Sequence, residues 1–254
     1  MDFAVRIQQH VCALARRSPN HLVVGPFLIR FSPDWPSPYA NYAIPEQDAE
    51  PTRRQIRELV AAFEQRERLP RLEYLPEWAP AVEPALLAAG FEVENRVPLL
   101  ACTAADLVVP GPVPGLAVSV PENEDEFVAL AQVQHRAYGE EGEPGDGELG
   151  WLRMTAHGGG AVALARVDGE PAGGGAASIS AEGLSELAGI AVADRYRRRG
   201  VGAAVSAVLT ATALDHQREA VWLEPAEESV ERMYERIGYR RVTEKLNISL
   251  PRRR

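Results

Sequence analysis

Residues 186–203 read Glu-Leu-Ala-Gly-Ile-Ala-Val-Ala-Asp-Arg-Tyr-Arg-Arg-Arg-Gly-Val-Gly-Ala, and the rest of the chain is organised around them. Leu187 to Val192 is a short apolar run with β-branched Ile190 and Val192, which predicts a buried strand rather than a helix. Asp194 to Arg199 is a polar connection with arginines at 195, 197, 198 and 199. From Gly200-Val201-Gly202 onward the apolar residues fall at Val201, Ala204, Val205, Val208 and Leu209, one face of a helix predicted over 200–217.

Strand, arginine-rich turn with glycines, then helix has a physical use. The first turn of a helix carries backbone N–H groups without intrahelical partners, and the macrodipole adds partial positive charge there. An anion is welcome at that point. Gly200 and Gly202 let a phosphate approach the backbone with no Cβ in the way, and Arg197 and Arg199 can add charge-assisted hydrogen bonds. The ligand this predicts is a di- or polyphosphate.

The remaining elements follow from pattern and punctuation. In the first part, helices are predicted over 1–18, 51–68 and 78–89, strands over 21–31, 42–44 and 71–75, and one or two strands over 91–103. Pro110-Gly111-Pro112-Val113-Pro114-Gly115 is the strongest break, since neither a helix nor a central strand accommodates it. It sets an expected division into a domain 1–109, a linker 110–115 and a domain 116–254. After it come a strand 116–120, a helix from the Asn123 cap to Tyr138, an acidic glycine-rich loop 139–150 and a short helix 151–156. Strands 161–167 and 172–180 flank the turn Asp168-Gly169-Glu170-Pro171, and beyond the 187–192 strand and its helix come strand 221–224, helix 227–237 and strand 239–250.

The spacing Arg197-x-x-Gly200-x-Gly202 resembles the Gln/Arg-x-x-Gly-x-Gly/Ala signature of the GNAT (GCN5-related N-acetyltransferase) superfamily, whose loop holds the pyrophosphate of acetyl-coenzyme A. The element order after residue 116 matches that family's mixed α/β fold, and Tyr234-Glu235-Arg236-Ile237-Gly238-Tyr239 is similar to its Tyr-x-x-x-Gly-Phe motif. One departure is Glu227, where the family often has asparagine. The resemblance implies transfer of an acetyl group from acetyl-coenzyme A to an amine of a small molecule or peptide by direct attack, an acyl-CoA-dependent N-acyltransferase activity. It implies that the backbone of Ile190, Ala191 and Val192 pairs with the pantetheine arm, and that Arg197, Arg198, Arg199, Gly200, Val201, Gly202 and Ala203 hold the pyrophosphate. Tyr234 would protonate the leaving thiolate, and Glu186, with Glu224 as second choice, would take the amine proton through water. The alternative is an acetyl-coenzyme A-binding sensor or partner-binding protein without turnover.

Leu72-Glu73-Tyr74-Leu75-Pro76, a helix, then Gly90-Phe91 parallels Val221-Trp222-Leu223-Glu224-Pro225, a helix, then Gly238-Tyr239. This predicts that residues 1–109 are a degenerate copy of the same fold, a tandem-like layout. Leu86 stands where the second copy has Tyr234, and Glu46, Asp48 and Glu50 stand where it has the arginine–glycine turn, a charge that repels pyrophosphate.

Composition narrows the classes. With 254 residues, 46% hydrophobic and 25% charged, the chain reads as a globular protein of one large or two small domains. A formal net charge of −9 argues against general nucleic-acid binding, and no run approaches a membrane span. The start lacks an apolar signal core, and Cys12 and Cys102, far apart, read as buried thiols, so the expected location is cytoplasmic. The five histidines show no ligand spacing and no metal site is predicted. The acidic residues Glu140, Glu141, Glu143, Asp146 and Glu148 fall in a predicted solvated loop, Arg252 to Arg254 in a solvated tail, and nothing excludes a homodimer.

Overall fold

The computed structural model describes residues 3–216 and 218–251, so the Arg252–Arg254 tail and the last residue of the helix predicted over 200–217 lie outside it. The fold is mixed α/β and forms two compact units, one holding residues up to Leu99 together with those from Val242, the other Leu100–Arg241. Residues 110–115, where the sequence suggests a linker, lie inside the second unit, and Val113 packs against its core.

In the first unit the order is α1 (Phe3–Arg17), β1 (Leu22–Val24), β2 (Phe27–Arg30), β3 (Tyr42–Pro45), α2 (Arg53–Glu64), β4 (Arg71–Tyr74), α3 (Val82–Ala88) and β5 (Glu92–Cys102), the last ending in the second unit. The single strand expected over 21–31 is a hairpin, with Leu22 opposite Ile29 and Val24 opposite Phe27. Gly25, at φ +53°, makes the reversal that an apolar run alone does not reveal. β3 pairs with β2 antiparallel and with β4 parallel, and the chain's last strand, β11 (Arg240–Ser249), pairs antiparallel with β4 through Leu246–Ser249. Phe27, Ile29, Phe63, Leu72, Leu86 and Ile248 fill the core beneath α2 and α3. Lys245, the only lysine, lies 2.6 Å from Glu73, which also meets buried Arg71. An ion pair so far from water holds only because each charge has a partner.

The second unit runs β6 (Leu116–Ser119), α4 (Glu124–Ala137), α5 (Asp146–His157), β7 (Ala161–Val167), β8 (Glu170–Ala177), β9 (Leu184–Val192), α6 (Val201–Asp215), β10 (Ala220–Leu223) and α7 (Glu228–Arg236). Its sheet has the order β6-β7-β8-β9-β10, with Leu100–Cys102 of β5 antiparallel to the far side of β10. Helix α5 is a full helix from Asp146, longer than the 151–156 expected, because Glu148 turns back to accept from the amide of Gly145 and starts it early. One face of the sheet packs on Val201, Val205, Leu209 and Ala213 of α6, and the other on Phe127, Leu130 and Ala131 of α4 and Leu152 of α5. Both layers press on β8 where it reads Gly173-Gly174-Gly175. A Cβ on Gly174 would collide with Leu130, and one on Gly173 would stand 3.3 Å from Val201.

Both units carry the succession of three strands, a helix, a strand parallel to the third, and a second helix: β1-β2-β3-α2-β4-α3 and β7-β8-β9-α6-β10-α7.

Candidate active site

Strand β9 is where the second unit opens. It pairs with β8 as far as Val192, but with β10 only through Leu184, Ser185 and Glu186. Beyond Glu186 the edge that would face β10 has no strand paired with it among the described residues. The ladder with β8 slips between Gly174 and Ala176, so two residues of β9, Gly189 and Ile190, face the single Gly175. This is a β-bulge, and Gly189 takes it at φ +65°. Past the bulge the amide of Ala193 bonds back to Ala172 on β8, which turns the carbonyls of Ile190 and Val192 to the open edge.

Three side chains meet the bulge and that edge. Gln134, on the inner face of α4, donates to the Gly189 carbonyl at 2.7 Å. Tyr138, one turn later, reaches the Ile190 carbonyl with its hydroxyl at 3.5 Å. Arg197 donates to the Val192 carbonyl at 3.3 Å and to that of Ala137 at 3.4 Å, and pairs with Asp194 at 3.1 Å. The guanidinium expected to reach for a phosphate is therefore turned back on its own loop, because the carbonyls at both strand and helix ends lie within its fork. Arg198 is exposed and held at φ +60°, while Arg199 lies over the Tyr196 ring at 5.5 Å and is also exposed.

Gly200 is the N-cap of α6, in the left-handed region at φ +87°, and has no side chain with which to cap the first-turn amides. Gly202 is half-buried, and a Cβ there would meet Val192 only at an ordinary 3.5 Å, so its missing side chain leaves room in front of those amides rather than relieving a packed contact. The helix at the same place in the first unit is built the other way. Thr52 caps α2, Gln55 donates its amide to the Thr52 hydroxyl at 3.3 Å, and its side chain takes the Thr52 amide at 2.8 Å. Its end is satisfied by its own side chains.

Tyr234 lies on α7 in the same buried cluster as Val201 and Val205, 4% exposed, edge-on to Tyr239 with ring centroids 5.5 Å apart. Burial pushes its phenol well above the ordinary value, the nearby Ser206 hydroxyl partly offsets this, and Tyr138 adds to it. It holds its proton throughout the neutral range. Glu186 is half-buried on β9, directly beside Trp222 of β10, with its backbone locked to Ser178 on both sides: Ser178 N donates to its carbonyl at 2.7 Å and its own amide donates to Ser178 Oγ at 2.8 Å. Glu224 follows the last residue of β10 and is half-buried. The structure thus gathers Ile190–Val192, Arg197–Ala203 and Tyr234 in one unit, with Glu186 on β9 and Glu224 just past the end of β10.

Gln134 and Tyr138 were not singled out by sequence reasoning. The one signal was their i, i+4 spacing at the end of α4, and that reads equally well as packing. The acidic loop is also more ordered than a solvated loop would be. His135 Nδ1 lies 3.0 Å from Glu148 and 3.7 Å from Glu140, and Nε2 lies 3.1 Å from the Glu141 carbonyl. These three side chains bring potential metal-ligand atoms within 4.8 Å of one another, a grouping the sequence spacing does not show. Both ring nitrogens already have protein partners, so the cluster acts as a clamp on the loop. Elsewhere, a concavity of about 460 Å³ in the first unit is lined by His21, Asn41, Arg66 and Arg68. Arg68 donates to the Arg66, Ser32 and Pro33 carbonyls, and the concavity holds none of the site residues above. Among the described residues no helix is long and apolar enough to cross a membrane.

Residues 125–239 match the model of the acetyltransferase (GNAT) family. Among solved structures, a GCN5-related N-acetyltransferase from Kribbella flavida is similar over 100% of this chain and 97% of its own, at 25% identity and TM-score 0.82. A GCN5-related N-acetyltransferase from Sphaerobacter thermophilus is similar over 89% and 78%, at 14% identity and TM-score 0.64. A tandem GNAT protein from the clavulanic acid biosynthesis pathway is similar over 84% and 76%, at 12% identity and TM-score 0.59. No curated protein sequence matches the chain. The family match likens residues 125–239 to the acetyltransferase (GNAT) family, and the likenesses to solved structures show a shared fold.

Proposed function

We propose that this chain is an acetyl-coenzyme A-dependent N-acetyltransferase acting on an amine of a small molecule or peptide. The observation that carries the reading is the contrast between two helix starts: Thr52 and Gln55 close that of α2, whereas α6 begins at Gly200 with no capping side chain. An uncapped, glycine-flanked turn with exposed Arg198 and Arg199 beside it suits a diphosphate. The open edge of β9, with the Ile190 and Val192 carbonyls facing it, suits an extended amide-bearing arm laid down as an added strand.

When bound, acetyl-coenzyme A supplies an activated acyl group as a thioester. The amine nitrogen attacks the thioester carbon and the carbon–sulfur bond breaks. Tyr234, whose buried phenol keeps its proton, gives it to the departing sulfur. Glu186, with Glu224 as the second candidate, takes the proton that the amine must lose, through a water. Gln134 fixes the bulge that aims the β9 backbone, so its part is positioning. We assign the first unit the role of a degenerate GNAT-like half. The shared element order supports this, as do Leu86, buried where the second unit has Tyr234, and the capping box on α2.

Calorimetry with acetyl-coenzyme A followed by thiol release with a panel of amines tests the proposal. Saturable uptake and amine-dependent release are expected. Uptake with no release from any amine would favour a sensor, and no uptake would overturn the reading.

A further inference from the structure

The geometry points to Tyr138 as the residue that positions the acceptor amine, its phenol oxygen taking a hydrogen bond from the amine N–H. This rests on the acetyltransferase reading above and concerns a side chain that reading does not use.

Tyr138 ends α4, and α4 lies on the sheet face opposite α6. A coenzyme whose diphosphate sits at the start of α6 reaches the open edge of β9 from the α6 side, which leaves the α4 side for the second reactant. Tyr138 is the side chain that α4 sends to that opening. Its hydroxyl lies at the Ile190 carbonyl, next to the bulge, while the residue as a whole remains 59% exposed. Desolvation raises its pKa, so the phenol keeps its proton in the neutral range.

A phenol has one donor and two acceptor sites. With its proton directed to the Ile190 carbonyl, Tyr138 offers lone pairs to the cleft, and these suit an N–H donor. Tyr234 plays the opposite part, as donor to sulfur. Gln134 fixes the geometry from the preceding turn, since its bond to Gly189 sets the bulge, and with it the position of Ile190, relative to α4. A hydrogen bond from the N–H leaves the nitrogen lone pair free to turn towards the thioester carbon.

The test is Tyr138→Phe, which keeps the ring and removes only the hydroxyl. Acetyl-coenzyme A affinity is measured by calorimetry, and KM and kcat by thiol release, using 2-phenylethylamine, putrescine and a tripeptide with a free α-amine as acceptors. For the best acceptor of the three, the amine KM is expected to rise roughly 3- to 10-fold, the loss of one neutral hydrogen bond, with acetyl-coenzyme A affinity unchanged. Tyr138→His, which retains an acceptor atom, is expected to recover part of that loss. An unchanged amine KM in Tyr138→Phe, or a parallel loss of acetyl-coenzyme A affinity, overturns the assignment while leaving the acetyltransferase reading intact. Uptake of acetyl-coenzyme A by the wild type with no release from any of the three amines overturns it as well. Failure of the wild type to take up acetyl-coenzyme A removes the reading beneath it.

Discussion

The side-chain amide of Gln134 donates to the carbonyl of Gly189 at 2.7 Å, and this bond ties α4 to the β-bulge of β9. Gly189 sits at φ +65°, and a Cβ there would come within 2.6 Å of the Gln134 nitrogen. Gly189→Ala is therefore expected to destabilise the protein by about 1–3 kcal/mol, from backbone strain plus the collision. Adding Gln134→Ala relieves the collision but not the strain, so the double variant should be more stable than the sum of the singles predicts. Urea denaturation of the four proteins checks this; strict additivity would show that the two residues do not interact as described.

Gly202→Asp separates ligand binding from folding. The new Cβ meets Val192 at an ordinary distance, so the thermal midpoint should move by no more than a few degrees. The carboxylate would stand before the α6 amides and repel a diphosphate, and acetyl-coenzyme A affinity measured by calorimetry is expected to fall roughly 100-fold. Gly200→Ala should show the reverse emphasis, because φ +87° and a 3.1 Å approach to Val113 place its cost in stability, at about 1 kcal/mol.

Tyr234→Phe removes the phenolic proton without opening a cavity. Acetyl-coenzyme A affinity should stay within about twofold and kcat fall roughly 100-fold at neutral pH, the lower end of what a positioned acid contributes. Single-turnover kinetics with a saturating amine would report this. An undiminished rate would mean that another group protonates the sulfur.

His135 makes the protein's stability depend on pH. Its hydrogen bond to Glu148 raises its pKa above the ordinary value near 6.5, with the Glu141 carbonyl and Glu140 reinforcing the shift against desolvation. A group whose folded pKa is raised stabilises fully below its unfolded value, and loses that contribution as pH climbs through the folded one. The urea midpoint should accordingly drop between pH 6 and pH 8.5, and this part of the drop should vanish in His135→Gln. Titration of the His135 ring signals by NMR gives the direction independently, and a pKa at or below the ordinary value would contradict the clamp.

Much of the second unit was legible from short-range pattern. The apolar run before the arginines, the glycines at 200 and 202, the 3.6-residue period after them and the Tyr234 segment each declare their element within a dozen residues, because local propensity and amphipathic periodicity act over that range. The structure shows the opposite at the start of α2, where Thr52 and Gln55 close what Gly200 leaves open. Tertiary structure alone decided the rest. The bulge at Gly189 exists because Gln134, 55 residues earlier, holds its carbonyl, and no window around Gly189 contains that partner. The edge of β9 is open beyond Glu186 because its pairing with β10 stops there and β10 ends at Leu223, a fact of strand pairing rather than of either strand's composition. Where the units divide, at Leu99 and Arg241 rather than at the proline-rich 110–115, follows from which strands each end of the chain joins. Hydrogen bonds between strands and helices far apart in sequence leave no periodic trace, so residues such as Gln134 and Tyr138 acquire their meaning only when the chain has folded.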